Sequence, residues 1–294
     1  MSADSEARRL YASRSLICGG NRLRNLGVRT LNPMSSRAPN GKTFRVDRGY
    51  VAVSGPDAED FLERMLSNEV ATLDVGSSRP ALLLTPKGRI IAPLRAVRTA
   101  EDAFLLVTDS SALAAPVANS LLASRFASKC EIETRLWVGF VQLGSEPEEP
   151  AVAIPDFGVE AWESWRDQAE DGAEASELER LRVDAGTPAW GKELDETVLP
   201  AEAGLDETHI SFTKGCFPGQ EPIARLRHRG HVNRRLRTLE VPAAKVGDEI
   251  VWNDKVVGRV TSAVEGRALG YVRTEVPEDG VLVVGGSQAK MRPA

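Results

Sequence analysis

Long apolar runs are missing from this 294-residue sequence, which contains no stretch of about 18 uninterrupted apolar residues such as a membrane-spanning helix requires. Cysteine and histidine are scarce, with three residues of each. The cysteines Cys18, Cys130 and Cys216 are widely separated and odd in number, so they fit neither a disulfide framework nor a C-x-x-C metal motif. The sequence therefore predicts a protein with no membrane span and no bound metal, from a reducing compartment.

An excess of positive charge is missing as well. The sequence has 37 lysines and arginines against 42 acidic residues, a formal net charge of -5. A chain of this charge does not coat nucleic acid through its overall field, so nucleic acid is not expected as a partner. The proportions of charged and hydrophobic residues, 27% and 42%, are ordinary for a globular protein, and the length allows two or three compact units.

Acidic residues are absent between Glu6 and Asp47, while arginines recur there among Ser, Asn, Gly and Pro. Such a composition is typical of organelle transit peptides. Because no sustained amphipathic face accompanies it, we favour the alternative of a disordered tail, or of a true start at Met34. Residues 1–42 are therefore predicted to lie outside the folded domains. The protein is predicted to be cytoplasmic, or mitochondrial if this leader is a transit peptide.

From residue 43 onward, short apolar runs alternate between strand and helix periodicity. The predicted strands are 44–46, 50–53, 81–84, 89–97, 104–107 and 130–141. Helices are predicted at 57–66, at 109–128 with Asp109 as its cap, and at 160–168, followed by an exposed acidic connector at 170–179. Two such mixtures of strand and helix favour an α+β architecture of two split βαβ (ferredoxin-like) units.

Five β-rich runs near the carboxyl terminus are separated by Gly, Pro and Asp turns, and they predict a small β-barrel or sandwich. They lie at 236–241, 249–252, 256–264, 269–272 and 281–284. The predicted domains are thus an α+β region at 43–232, whose internal boundary falls within 92–180, and a β-barrel at 233–294.

One short stretch combines two glycines and a proline, which favour turns, with a single cysteine. Residues 214–221 read Lys-Gly-Cys-Phe-Pro-Gly-Gln-Glu, with Cys216 between Gly215 and Gly219. A nearby cation such as Lys214, or the N–H groups of a Gly-rich turn, favours the reactive thiolate form of a cysteine. Cys216 is therefore a candidate reactive residue, activated by Lys214. The alternative is that the glycines merely permit a turn and Cys216 is a small buried residue.

This string resembles the signature K-G-C-[FY]-x-G-Q-E of the YgfZ-type folate-binding proteins, which are relatives of the glycine-cleavage T-protein. Four further segments resemble the family in the same order, at 53–62, 84–90, 182–188 and 199–203. The resemblance implies three units around a central cavity, with tetrahydrofolate or a polyglutamylated derivative as cofactor. It also implies a role in iron-sulfur cluster assembly or repair, with iron-sulfur client proteins as partners and an effect on tRNA modification enzymes through them.

The sequence departs from true T-proteins at one functional position. Those proteins carry a pair of aspartates, one of which assists methylene transfer, where this sequence has Ala92 and Pro93. Without a carboxylate there, that transfer has no evident acid-base partner. A folate-binding accessory protein is therefore favoured, and enzymatic activity is left open. The alternatives are a one-carbon transferase of T-protein type, and an RNA-binding or scaffold protein.

A pterin presents adjacent N–H donors that match a carboxylate. By the resemblance, Asp184 is expected where a T-protein glutamate contacts the pterin, although it is one methylene shorter. Glu202 is the second candidate for this anchor. Tyr50 and Trp190 lie beside the matched segments and are candidates for stacking on the pterin.

The end of the signature and the residues after it complete the predicted folate site. Gln220 and Glu221 are expected to contact the folate. A cationic stripe follows, formed by Arg225, Arg227, Arg229, Arg234, Arg235 and Arg237. It would attract a polyglutamate tail; an RNA backbone or a merely solvated surface are the alternatives.

Overall fold

The structure is a computed structural model that describes residues 42–147, 151–167 and 175–293. Its α-helices are α1 (Ala58–Met65), α2 (Ala114–Ser124), α3 (Ser176–Ala185) and α4 (Gln220–Arg229). Its strands are β1 (Thr43–Val46), β2 (Gly49–Ser54), β3 (Ser78–Leu84), β4 (Ile90–Ala100), β5 (Ala103–Thr108), β6 (Glu131–Arg135), β7 (Val138–Leu143), β8 (Val152–Ala153), β9 (Ala161–Arg166), β10 (Arg234–Glu240), β11 (Glu249–Trp252), β12 (Lys255–Val264), β13 (Arg267–Arg273), β14 (Val281–Val284) and β15 (Ser287–Met291). The predicted leader at 1–42 lies outside the described residues, apart from Lys42.

The first sheet has the strand order β3-β4-β5-β2-β6, and every pairing in it is antiparallel. Strands β2, β4, β5 and β6 with α1 and α2 form a split βαβ unit, to which β3 adds an edge. Val51 and Leu94 point to the helices and share a hydrophobic core with Phe61 of α1. Because side chains alternate along a strand, Tyr50 and Arg95 project from the opposite face.

The second sheet, of order β1-β7-β9-β8, is also antiparallel. The single strand predicted at 130–141 is divided, since β6 pairs in the first sheet and β7 in the second. The helix predicted at 160–168 was wrong, because Ala161–Arg166 is strand β9. This segment contains two tryptophans, which suit a strand, and pairing with β7 satisfies its backbone.

The helix predicted at 109–128 begins later than expected. A 3-10 turn at Ser111–Leu113 comes first, and its cap is Ser110, not Asp109. The α-helix begins at Ala114, so Pro116 lies in its first turn, where no N–H is needed. Of the acidic connector predicted at 170–179, residues 170–174 lie outside the described ranges, and the residues from Ser176 onward belong to α3.

Strands β10 to β15 close into a barrel of order β10-β13-β12-β11-β14-β15 with its own hydrophobic core. A further apolar cluster joins the barrel residue Tyr271 to Leu82 of the first sheet and to Phe217 and Ile223 of the signature region. The predicted fold class, α+β with a carboxyl-terminal β-barrel, is confirmed. The exact domain boundaries remain predictions. No helix among the described residues is both long and apolar enough to cross a membrane.

Candidate functional site

The signature turn is packed tightly against another matched segment. Gly219 precedes α4 with a φ of 83°, in the left-handed region that favours glycine. A Cβ added there would lie 2.6 Å from the carbonyl oxygen of Thr85 and 2.9 Å from the Cα of Gly88. The turn after β3 and the signature are thus in backbone contact, which fixes the start of α4.

Lys214 anchors the signature to the end of α1. Its Nζ donates to the carbonyl oxygens of Glu63, Leu66 and Asn68, the latter two at 2.9 Å, and lies 3.3 Å from the Glu63 carboxylate. The side chain is 1% exposed, and burial lowers the pKa of Lys214 against the opposing effect of Glu63. The described contacts of this ammonium group do not include the Cys216 thiol. Activation of Cys216 by Lys214 therefore remains a prediction.

The thiol of Cys216 is free and exposed, so the buried alternative does not apply. Gln220 opens α4, and the exposed Glu221 beside it pairs with Arg225 at 2.7 Å. The guanidinium of Arg227 lies 3.9 Å from the centroid of the Phe212 ring. Arg229 is the last residue of α4. Folate contacts by these helix residues remain predictions.

The two carboxylates expected to anchor the pterin are both held by arginines. Asp184, near the end of α3, lies 3.6 Å from Arg267 of the barrel and 3.9 Å from Arg180. Glu202 accepts hydrogen bonds from Nε and Nη2 of Arg234 at 3.1 and 3.3 Å. Glu202 also borders an open cavity of about 490 Å³, which is lined in addition by His231, Asn233, Arg234, Arg273, Thr274 and Glu275.

The two predicted stacking residues are enclosed to different degrees. Trp190 is half-buried and packs against the cores on both sides of the first sheet. Tyr50 is fully buried, with its ring centroid 5.9 Å from that of Trp137 and 6.3 Å from that of Trp165. The Tyr50 hydroxyl is buried and has no hydrogen-bond partner within the described ranges. This hydroxyl is packed against Gly139, where an added Cβ would lie 2.5 Å from it. Stacking of a pterin on Tyr50 remains a prediction.

Sequence reasoning missed a group of charged side chains between the two sheets, called the interior cluster here: Arg48, Arg95, Asp109, Asp156 and Glu163. Nε of Arg48 donates to Glu163 at 2.7 Å. Nη2 of Arg95 donates to both carboxylate oxygens of Asp156, at 3.0 and 3.2 Å. Nη1 of Arg48 donates to the backbone carbonyl of Asp109 at 3.3 Å. Five segments that are distant in sequence thus meet in one place.

The interior cluster is desolvated but still accessible. Burial raises the pKa of Asp109 to about 6 against the opposing charge of Arg48, and burial lowers the pKa of the neighbouring His209 to about 4. The side chains of Arg48 and Asp156 nevertheless keep 16% and 27% of their exposure. The charged groups of the interior cluster are thus largely shielded from water without being fully enclosed.

A signal for this cluster was present in the sequence. Arg48 and Asp109 flank strands β2 and β5, whose end residues Gly49 and Thr108 pair directly. Arg95 interrupts the apolar strand β4, where an unpaired charge would be costly. Charged residues within or beside buried strands therefore mark the interior cluster.

Comparison with known proteins identifies two domains. Residues 47–134 match the family described as GCVT N-terminal domain, and residues 232–294 match the CAF17 C-terminal beta-barrel domain. The chain is 27% identical to an uncharacterized protein of Haemophilus influenzae, over 73% of this chain and 81% of that one. It is 23% identical to an aminomethyltransferase of Halothermothrix orenii, over 80% of this chain and 81% of that one.

A solved structure has the same fold. The chain superimposes with a TM-score of 0.76 on the crystal structure of glycine cleavage system aminomethyltransferase T from Bartonella henselae. The alignment covers 87% of this chain and 86% of that one, at 20% sequence identity. At this identity the likeness establishes the shared fold.

Proposed function

The chain belongs to the T-protein superfamily, to its YgfZ/CAF17 type, and from this premise we propose that it binds tetrahydrofolate, or a polyglutamylated derivative, at the interior cluster between the two sheets. The cluster is the observation that carries the proposal. It offers charged donors and acceptors in a desolvated place, which a purely structural core would not need. A bound tetrahydrofolate would supply a carrier for one-carbon units.

The residues present fit a pterin. Its donor edge requires a carboxylate, and its oxo group requires a hydrogen-bond donor. The interior cluster contains three carboxylates and two guanidinium groups, and the hydroxyl of Tyr50 lies buried without a partner among the described residues. An unpaired buried hydroxyl is costly, and a ligand atom that bonds to it would remove that cost. The exposed Arg225 and Arg227 would attract a polyglutamate tail.

The positions of the T-protein aspartate pair support a binding role over aminomethyl transfer. Ala92 packs in the helix-side core of the first sheet. Pro93 is two residues from Arg95 along β4, so both side chains project from the same face of the first sheet. Neither side chain can exchange a proton, so the transferase alternative lacks the group that the resemblance associates with that reaction.

A role in iron-sulfur cluster assembly or repair, and through it in tRNA modification, is the second part of the proposal. It is supported by the resemblance of the signature and by the exposed thiol of Cys216. The test is the activity of an iron-sulfur-dependent tRNA-modifying enzyme in cells that lack this protein. Wild-type protein should restore the activity and Cys216→Ser should not. Equal rescue by both would remove the thiol from the proposal.

Folate binding is tested by titrating the full chain with tetrahydrofolate and following tryptophan fluorescence, since Trp137 and Trp165 adjoin Tyr50. A saturable change is expected, and Glu265→Gln, in the exposed turn between β12 and β13, serves as a control that binds the monoglutamate equally well. Absence of any saturable signal at high micromolar folate would contradict the proposal. Turnover of an N-methylated amine would instead support the transferase. RNA binding with a steep salt dependence and no folate binding would support the scaffold alternative.

A further inference from the structure

The outermost strand β6 of the first sheet has one uncovered edge. β6 pairs with β2 along Glu131–Arg135, and its other edge has no backbone partner within the described ranges. We infer that this edge is an interaction surface for a second copy of the chain, whose β6 pairs with it antiparallel to form one sheet across a two-fold dimer. The inference is independent of folate binding and goes beyond the proposed function.

The opposite edge of the same sheet, at β3, is protected. The backbone N–H of Ser67 donates to the carbonyl oxygen of Leu82 at 3.0 Å, and the Ser67 hydroxyl accepts from the N–H of Leu82 at 2.8 Å. Pro80 in β3 has no N–H, and its carbonyl oxygen accepts from Asn68. An open edge strand is a template for pairing with another chain, and proteins commonly cover it in this way. Among the described residues, β6 has no such cover.

Three large apolar side chains are exposed close to the β6 edge. Leu136 directly follows β6 and is 97% exposed, and Phe126, in the connection between α2 and β6, is 92% exposed. Leu122 of α2, which packs on β6, is 45% exposed. These are the exposed leucine and phenylalanine side chains of the described residues. Phe126 also has a φ of 44°, which a bulky residue rarely adopts. Exposed apolar groups that gather in one place mark an interaction surface.

The sequence of β6 is complementary to itself in one antiparallel register. A two-fold axis perpendicular to the sheet at Thr134 places Glu133 of each copy opposite Arg135 of the other. Opposite charges directly across two strands stabilise their pairing, and so do two facing threonines. An axis at Glu133 would place this carboxylate opposite its own copy, and an axis at Ile132 would place Glu131 opposite Glu133. Like charges therefore disfavour both neighbouring registers.

The charged side chains are available for this exchange. Glu133 and Arg135 form an ion pair within one chain at 2.8 Å, and both side chains are exposed. In the dimer the four groups would alternate in sign across the two strands. Charges on an edge strand usually prevent pairing because like charges meet, whereas this arrangement selects one register.

The same register covers Leu136. It places Leu136 beside Ile132 of the second copy, on the side of the sheet where Ile132 belongs to the core beneath α2. Ile132 follows closely after the connection that contains Phe126, so Leu136 would leave water next to Phe126 of the second copy. Apolar contact and backbone pairing thus reinforce each other in one arrangement.

The test measures the oligomeric state of the full chain by sedimentation equilibrium. Only the five residues of β6 pair in each copy, so the interface belongs to the small, transient class. The wild type is expected to show a monomer–dimer equilibrium with a dissociation constant on the order of 10–100 μM. Leu136→Ser is expected to dimerise about ten-fold more weakly, because each copy buries less apolar surface.

Charge reversal tests the register. Arg135→Glu and Glu133→Arg each place like charges opposite one another, so each variant alone is expected to dimerise at least about ten-fold more weakly than the wild type. An equimolar mixture of the two is expected to form a mixed dimer, because every glutamate then faces an arginine. Arg259→Glu is the matched control, since it disrupts an exposed ion pair with Glu249 on the barrel, and it should dimerise like the wild type.

Each contrary result identifies the step that fails. A wild type that is monomeric up to about ten times the expected dissociation constant would overturn the inference. A dimer that the two charge reversals leave unchanged would place the contact elsewhere, and weakened variants that do not combine in the mixture would exclude the register. Thermal unfolding shows whether the charge-reversed chains fold. If they do not, unchanged dimerisation of Leu136→Ser would equally contradict the inference.

Discussion

At the scale of single residues, Asp109 places ligand binding in conflict with stability. Burial raises its pKa to about 6, above the ordinary range of an aspartate carboxyl, with Arg48 and Arg95 opposing and Asp156 and Glu163 reinforcing the shift. The folded protein therefore holds the Asp109 proton more tightly than the unfolded chain. The stability that this proton confers is complete below about pH 4 and is lost as the pH rises through about 6. A carboxyl group whose ionisation lowers the stability of the folded protein at neutral pH is typical of functional sites.

Asp109→Asn is therefore expected to stabilise the protein at neutral pH. Its free energy of unfolding should exceed that of the wild type by about 1–2 kcal/mol at pH 8, because a desolvated charge is removed. The difference should shrink toward zero near pH 4, and urea unfolding at the two pH values measures it. An equal difference at both values would show that the carboxyl is not desolvated.

Two glycines of the signature provide a matched pair. Gly219→Ala should lower the free energy of unfolding by at least about 2 kcal/mol, because its φ of 83° is unfavourable for alanine and the Cβ would meet the Thr85 carbonyl oxygen. Gly215→Ala, whose Cβ would have no neighbour within 4 Å, should change it by less than about 0.5 kcal/mol. Thermal unfolding of both variants checks this. Equal losses would mean that the contact with Gly88 does not fix the turn.

At the scale of elements, Lys214 connects the signature to α1. The last carbonyl groups of a helix lack partners within it, and a cation there also interacts well with the helix dipole. Lys214→Met should therefore lower the free energy of unfolding by about 2–3 kcal/mol, because several carbonyl groups lose their donor. Denaturant unfolding measures this loss. If Lys214 instead activates Cys216, the variant would show slower alkylation of Cys216 with unchanged stability.

A buried ion pair joins α3 to the barrel. Nη1 of Arg182 donates to Glu193 at 2.9 Å and Nη2 donates to Ser262 at 2.7 Å, while the Glu193 side chain is 0% exposed. Arg182→Met should lower the free energy of unfolding by about 3–5 kcal/mol, because it leaves Glu193 charged and buried. Adding Glu193→Gln should recover part of this loss in the same denaturation assay. If Arg182→Met alone were as stable as the wild type, the ion pair between Arg182 and Glu193 would not contribute to the attachment of the barrel.

The elements also show what the sequence can predict. Local signals predicted β2 to β5 and the barrel strands well, because hydrophobic alternation and turn residues act within a few positions. They failed for Ala161–Arg166, whose strand conformation comes from pairing with β7. Asp109 was predicted only as a helix cap. Its neighbours Arg48 and Glu163 are distant in sequence and reach it through the packing of the two sheets, so no local signal indicated the cluster around it. The signature itself was found because its eight residues are contiguous.

At the scale of the whole molecule, the interior cluster lies where the two sheets meet. The first sheet provides Arg48, Arg95 and Asp109, and the second provides Glu163. The barrel packs against the first sheet through Tyr271 and Leu82. The proposed role of this arrangement is to hold a reduced folate at the interior cluster.

The structure of the protein in complex with tetrahydrofolate tests this claim most directly. The pterin is expected between the two sheets, in contact with charged side chains of the interior cluster. A pterin bound instead in the open cavity beside Glu202, with the interior cluster unchanged, would contradict it.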